Sequence, residues 1–174
     1  MRDDFAHRLR LDSIAAGQRL DLVADETERT AIAERLRLAS LERLEAHAVL
    51  EREGSQVRAR GRVRAALEQS CIATGEPVAE HVDEAFDISF LPAPVEGAPD
   101  EEIELGPEDC DTVFYDAQAI DLGEAIADTL ALAMQPYPRS PDAEDALKQA
   151  GVLSEAEASP FAALAKLKRG EDLT

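Results

Sequence analysis

The chain has 174 residues, with 18 Lys and Arg against 37 Asp and Glu, a formal net charge of −19. That length suits one domain, or one domain with tails, and suffices to bury a real core. A hydrophobic content of 45% excludes a disordered chain, and 4% aromatics with no Trp makes the expected core aliphatic. The charge lies well outside the roughly 2–8 units usual for a small domain. It excludes bulk electrostatic capture of nucleic acid or anionic membrane by the whole surface, and leaves open a basic partner or a locally basic patch. There is no run of 18 apolar residues, so no transmembrane helix is expected. Met1-Arg2-Asp3-Asp4-Phe5 carries acids where a signal peptide needs an apolar stretch. Two cysteines, Cys71 and Cys110, are too few for a disulfide framework. The expectation is a cytoplasmic protein in a reducing compartment.

The charge is unevenly placed. Residues 1–70 hold 13 arginines and 13 acids, whereas residues 71–160 hold only Arg139 and Lys148 against 22 acids. The last 14 residues are slightly basic, with Lys166, Lys168 and Arg169 against Glu171 and Asp172. The result is a balanced first part, a strongly acidic second part and a weakly basic end.

In chain order, Leu9 and Leu11, then Leu20 and Leu22, alternate about Ala16-Gly17 and predict a strand–turn–strand over 8–23. Asp25 with Glu28 marks a helix start, and the Ile32/Leu36 pair carries that helix to about Leu38. Residues 41–53 and 56–69 flank Gly54-Ser55 and predict a long β-hairpin. A third strand over 78–91 places Val82, Phe86, Ile88 and Phe90 on one face. Between 92 and 111, four prolines punctuate a run of acids, predicting an exposed loop. Val113-Phe114-Tyr115 reads as a short strand. Asp121 and Glu124 then open a helix whose apolar face is Leu122, Ile126, Leu130 and Ala133, stopped by Pro136. Ser140-Pro141-Asp142 and Ser159-Pro160 each predict a further helix start.

The most distinctive constellation is Arg58, Arg60, Arg62 and Arg64, alternating with small and apolar residues. On a strand, all four guanidinium groups project from one face at intervals of about 6.6 Å. One reading is a ladder tracking backbone phosphates; the other is a solvated face paired to Asp83 and Asp87 on the next strand. No aromatic side chains stand on that face to stack bases. Cys71 lacks clustered partners, and His7, His47 and His81 lack metal-ligand spacing, so no metal and no cofactor are expected. No Gly-x-Ser-x-Gly, phosphate-binding loop or dinucleotide fingerprint is present. The expectation is therefore a non-enzyme with no small-molecule substrate and no membrane partner. The end of the chain, 159–168, is a short amphipathic helix suited to packing on its own domain or docking on a partner.

Three segments, in order, resemble one family. Gly61 to Pro92 includes Cys71, Gly75-Glu76-Pro77-Val78 and Phe86-Asp87-Ile88-Ser89-Phe90-Leu91-Pro92; Asp121-Leu122-Gly123-Glu124 runs into Leu130-Ala131-Leu132 and Pro136; Pro160-Phe161-Ala162-Ala163-Leu164 precedes Leu167-Lys168. Together these resemble the YceD family, the large ribosomal RNA subunit accumulation proteins. Many relatives carry Cys-x-x-Cys where this chain has Cys71-Ile72-Ala73-Thr74, so no metal site carries over. The resemblance implies a role in 23S rRNA accumulation or processing and large-subunit assembly, and the motif positions Cys71, Gly75, Glu76, Pro77, Asp121, Leu122, Gly123, Phe161 and Leu164. It supplies no catalytic residue. The expected fold is α+β, an antiparallel sheet built on the long hairpin with packed helices. Residues 1–135 are expected to form one domain including the acidic loop near 92–111, and 136–174 a linker and helical C-terminal tail. The leading functional reading is a non-catalytic assembly factor bound to a basic ribosomal protein or rRNA-processing factor. The alternative is an RNA-binding module acting through Arg58, Arg60, Arg62 and Arg64.

Overall fold

A computed structural model describes residues 5–94, 111–116 and 118–152. The acidic stretch 95–110 with Cys110, and the segment 159–168 expected to form a C-terminal helix, with Phe161 and Leu164, lie outside the described residues. The chain divides into two compact units, one of Met1–Gln69 with Ala79–Pro136, the other of Ser70–Val78 with Tyr137–Thr174.

The elements are β1 (Arg8–Arg10), a single 3₁₀ turn at Leu11–Ser13, β2 (Gln18–Val23), α1 (Glu26–Leu36), β3 (Ser40–Glu53), β4 (Gln56–Ser70), β5 (Pro77–Pro92), β6 (Thr112–Tyr115), β7 (Ala119–Asp121), α2 (Leu122–Ala133) and α3 (Ala143–Gln149). The fold is α+β, as expected. Its main sheet has the order β2-β3-β4-β5-β6, and β1 pairs with β7 in a second, two-stranded sheet.

The hairpin β3–β4 is the spine of the sheet. Glu53 faces Gln56 across a two-residue turn, where Gly54 takes φ 61°, the positive sign that tight hairpin turns need. Pairing then runs antiparallel to Ser40 and Glu68, interrupted by one irregularity between Leu41 and Arg43. The alternation around Leu9 and Leu22 correctly marks two strands but not their partners. β2 pairs antiparallel with β3, while β1 pairs with the distant β7. Alternation reports that one face is buried, and says nothing about which strand lies alongside. At the other edge β6 joins β5 in parallel, so the sheet is mixed rather than wholly antiparallel.

Helix α1 opens with a complete capping box: Glu28 N–H donates to Asp25, and Asp25 N–H to the Glu28 carboxylate. The inner face of β3 and β4 is lined by small residues, Ala46, Ala48, Ala59 and Ala65, with Gly61 among them. The space they leave is filled by Phe86 and Phe90 of β5, Ile32 of α1, and Leu122, Ile126 and Leu130 of α2, all in one cluster. Truncating any of these fully buried aliphatic side chains to Ala costs about 2–5 kcal/mol.

Candidate functional site

The inward set Val57, Ala59, Val63 and Ala65 is buried, which fixes Arg58, Arg60, Arg62 and Arg64 on the opposite, outer face of β4. Each is engaged by a carboxylate. Arg58 donates two hydrogen bonds to Asp87 at 2.6 Å, Arg62 donates to Asp83 at 2.7 Å, and Arg64 stands 3.4 Å from the same Asp83. Arg60 reaches the other way, to Glu51 of β3 at 2.7 Å. The β5 partners advance in the direction opposite to their arginines, as between antiparallel strands. One strand further out, His47 Nδ1 lies 2.7 Å from Asp21 of β2. The Arg62 hydrogen bond holds the Asp83 carboxyl below its usual range and raises Arg62 in return; Arg58 lowers Asp87 in the same way. Asp83 and Asp87 are the partners the spacing names. Glu51 is not, because a long guanidinium side chain can reach a diagonal neighbour. The face is thus a lattice of opposite charges, 35–54% exposed along these pairs, and screening by water and salt keeps each pair weak.

The motif Asp121-Leu122-Gly123-Glu124 builds a docking point for the N-terminal chain. Asp121 caps α2 by accepting from Glu124 N–H, and also accepts from His7 N–H, both at 3.1 Å. Leu122 is fully buried, and its N–H donates to His7 O at 3.1 Å. Gly123 lets the Phe5 backbone lie where a Cβ would otherwise sit: an added Cβ would come 1.7 Å from Phe5 O.

In the second unit, Cys71 to Pro77 forms a closed turn. Gly75, at φ 75°, donates its N–H to Cys71 O, and Cys71 N–H donates to Glu76 O. The Thr74 hydroxyl bonds the Glu76 carboxylate at 3.1 Å, and Pro77 begins β5. Cys71 is 3% exposed. Ser140 N–H donates to its sulfur at 3.2 Å, and the Thr74 and Ser140 hydroxyls lie 3.2 Å apart. Hydrogen bonds from the Ser140 hydroxyl and N–H and from Thr74, opposed by burial, bring the thiol down to about 6. An ordinary thiol titrates near about 8.5. A folded value below the unfolded one means the thiolate stabilises the fold; the contribution is full above about 8.5 and is lost as pH falls through 6. In a Cys110→Ala background, the ultraviolet thiolate absorbance is expected to titrate near 6. The stability gap between this protein and its Cys71→Ala variant is expected to widen from pH 6 to 8.5; a midpoint near 8.5 contradicts this arrangement.

The predicted positions are divided between the two units. The arginines and Asp121-Leu122-Gly123 belong to the first unit, Cys71 and Gly75-Glu76-Pro77 to the second, and Phe161 and Leu164 are outside the described residues. Among the described residues no group of three or more His, Cys, Asp or Glu could hold a metal ion. No described helix is long and apolar enough to cross a membrane. Sequence reasoning missed Ser140 and Glu51, and also the exposure of Leu132, whose i+2 spacing from Leu130 takes it off the buried stripe of α2.

What fold and surfaces define is an α+β sheet protein with a charge-paired outer face. Residues 59–168, more than half of the chain, match the family described as large ribosomal RNA subunit accumulation protein YceD, and the chain belongs to that family. The family's description places it in large-subunit rRNA accumulation, and so in ribosome biogenesis. No individually curated protein and no solved structure matches the chain.

Proposed function

We propose that this protein is a non-catalytic, cytoplasmic factor that supports accumulation and processing of 23S rRNA during large-subunit biogenesis. The observation that carries this is the family match over 59–168. The charge distribution supports a protein partner: the excess of acids in 71–160 suits a basic ribosomal protein or processing factor. Co-sedimentation tests the reading. The protein is expected in fractions holding large-subunit precursors at moderate salt, together with a basic protein of those particles; a protein found only at the top of the gradient argues against it.

The second reading is direct RNA contact through Arg58, Arg60, Arg62 and Arg64. Its support is their shared face and the weakness of exposed ion pairs, which phosphates can displace at small cost. It requires binding to a single-stranded RNA oligonucleotide that falls steeply with salt and disappears when all four arginines become serine. Binding unchanged in that variant disposes of it, and so does no binding at low salt.

A further inference from the structure

Two recesses adjoin along β6, and both belong to the first unit. One, of about 320 Å³, has Phe86, Ile88, Val113 and Leu132 among its walls. The other, of about 470 Å³, is lined in part by Val113, Phe114 and Tyr115. Val113, Ala125 and Asp128 line both. Three large apolar side chains stand open here: Leu132 is 84% exposed, Phe114 49% and Val113 38%. Leu132 lies about 200° round the helix from buried Leu130, so nothing in the packing of α2 accounts for it. Each recess has room for a few side chains.

The rim is acidic. Glu84, Asp111 and Asp128 line the first recess; Asp116, Asp121 and Glu124 line the second, where Arg8 is the one lining cation among the described residues. On the outer sheet face, acids are matched by arginines of the same chain. Among the described residues Glu84, Asp111, Asp116, Glu124 and Asp128 form no ion pair of that kind, although Glu84 lies within electrostatic reach of Arg62. On α2 the exposed row is Glu124, Asp128 and Leu132, one turn apart. An apolar floor inside a rim on which carboxylates outnumber cations is complementary to a segment with an apolar stripe flanked by lysines or arginines. The same carboxylates repel phosphate, which removes RNA as the occupant. A second copy in a two-fold contact would set these acids against themselves.

We propose that the groove between β5–β6 and α2 docks a cationic amphipathic segment of a protein partner, its apolar side chains in the recesses and its cations on the rim. This deepens the reading above and rests on it for the partner's class, a basic protein of the assembling subunit. The test uses two synthetic leucine–lysine peptides of one composition, one amphipathic as a helix and one scrambled so that no apolar face forms. Fluorescence anisotropy at roughly 0.15 M salt is expected to show the amphipathic peptide binding at least about tenfold more tightly than its isomer. Leu132→Asp and Asp128→Lys, both at exposed positions, are each expected to weaken it about tenfold while the thermal midpoint stays unchanged. Leu132→Ser serves if Leu132→Asp fails to fold. Equal binding of the two isomers, or indifference to the Leu132 variants, means that net charge alone attracts the peptide and overturns the proposal. So does self-association that Leu132→Asp abolishes, or displacement of the peptide by a single-stranded RNA oligonucleotide. Because the readout is peptide binding, loss of rRNA accumulation in cells with no peptide preference in vitro rejects the groove and leaves the family role standing.

Discussion

Replacing Gly61 with alanine is expected to destabilise the protein by about 3 kcal/mol or more, at the upper end of overpacking costs. In an open strand the same change would help by about 0.5–1 kcal/mol, because glycine is the poorer strand former. Contacts reverse the sign. A Cβ on Gly61 would come 1.9 Å from the His47 carbonyl oxygen and 2.8 Å from Phe86 Cζ. The ring could turn aside, but the carbonyl is part of the β3–β4 ladder and cannot move without shifting the hairpin. Thermal unfolding should show a midpoint lower by roughly 6–12 °C, at about 2–4 °C per kcal/mol for a chain of this size. Gly17→Ala is the control: its φ is 72° but nothing lies within 4 Å of its Cβ position, so it should lose only the backbone cost of about 1–2 kcal/mol. Equal losses at the two sites would mean that Gly61 is not a close-approach glycine.

Gly123→Ala is the second large effect, an overpacking cost expected at about 3 kcal/mol with a different signature. Helix propensity alone favours alanine by about 0.8–1.0 kcal/mol. Yet the new Cβ would meet Phe5 O at 1.7 Å and His7 N at 3.0 Å. The chain that must give way carries Phe5, 2% exposed, the Leu122-to-His7 hydrogen bond and the β1–β7 pairing. Hydrogen exchange should therefore accelerate first at residues 8–10 and 119–121, before the main sheet loosens. A variant with unchanged exchange there and a raised midpoint would show that helix propensity wins and the docking is loose.

These two glycines show how much of the molecule can be read from the chain. The hairpin was legible because Gly54-Ser55 sits between two long alternating runs, and α1 because Asp25 and Glu28 stand three apart. The face of the four arginines was legible for the same reason of period. Pairing was only partly so. β1 finds β7 more than a hundred residues away, and β6, four residues long, joins in parallel; neither is specified by local pattern. The groove was hidden because Val113 and Phe114 are both exposed in succession, which breaks the alternation that marks a half-buried strand. Motif residues Asp121, Leu122 and Gly123 turn out to make contacts of folding, so their presence in a family signature does not by itself mark a binding site.

The surfaces then divide the work of recognition. Where the chain supplies both charges, on the sheet face, the field is largely cancelled; around open Val113, Phe114 and Leu132 the described carboxylates outnumber the single lining cation, Arg8, and a cationic partner can supply the rest. Both belong to a protein whose family is defined by large-subunit rRNA accumulation. The most direct measurement of that role is the ratio of 23S to 16S rRNA in cells lacking the gene, with and without a plasmid copy. The ratio is expected to fall on deletion and to be restored by the intact protein. An unchanged ratio, with normal large-subunit particles, would contradict the proposed role in 23S rRNA accumulation.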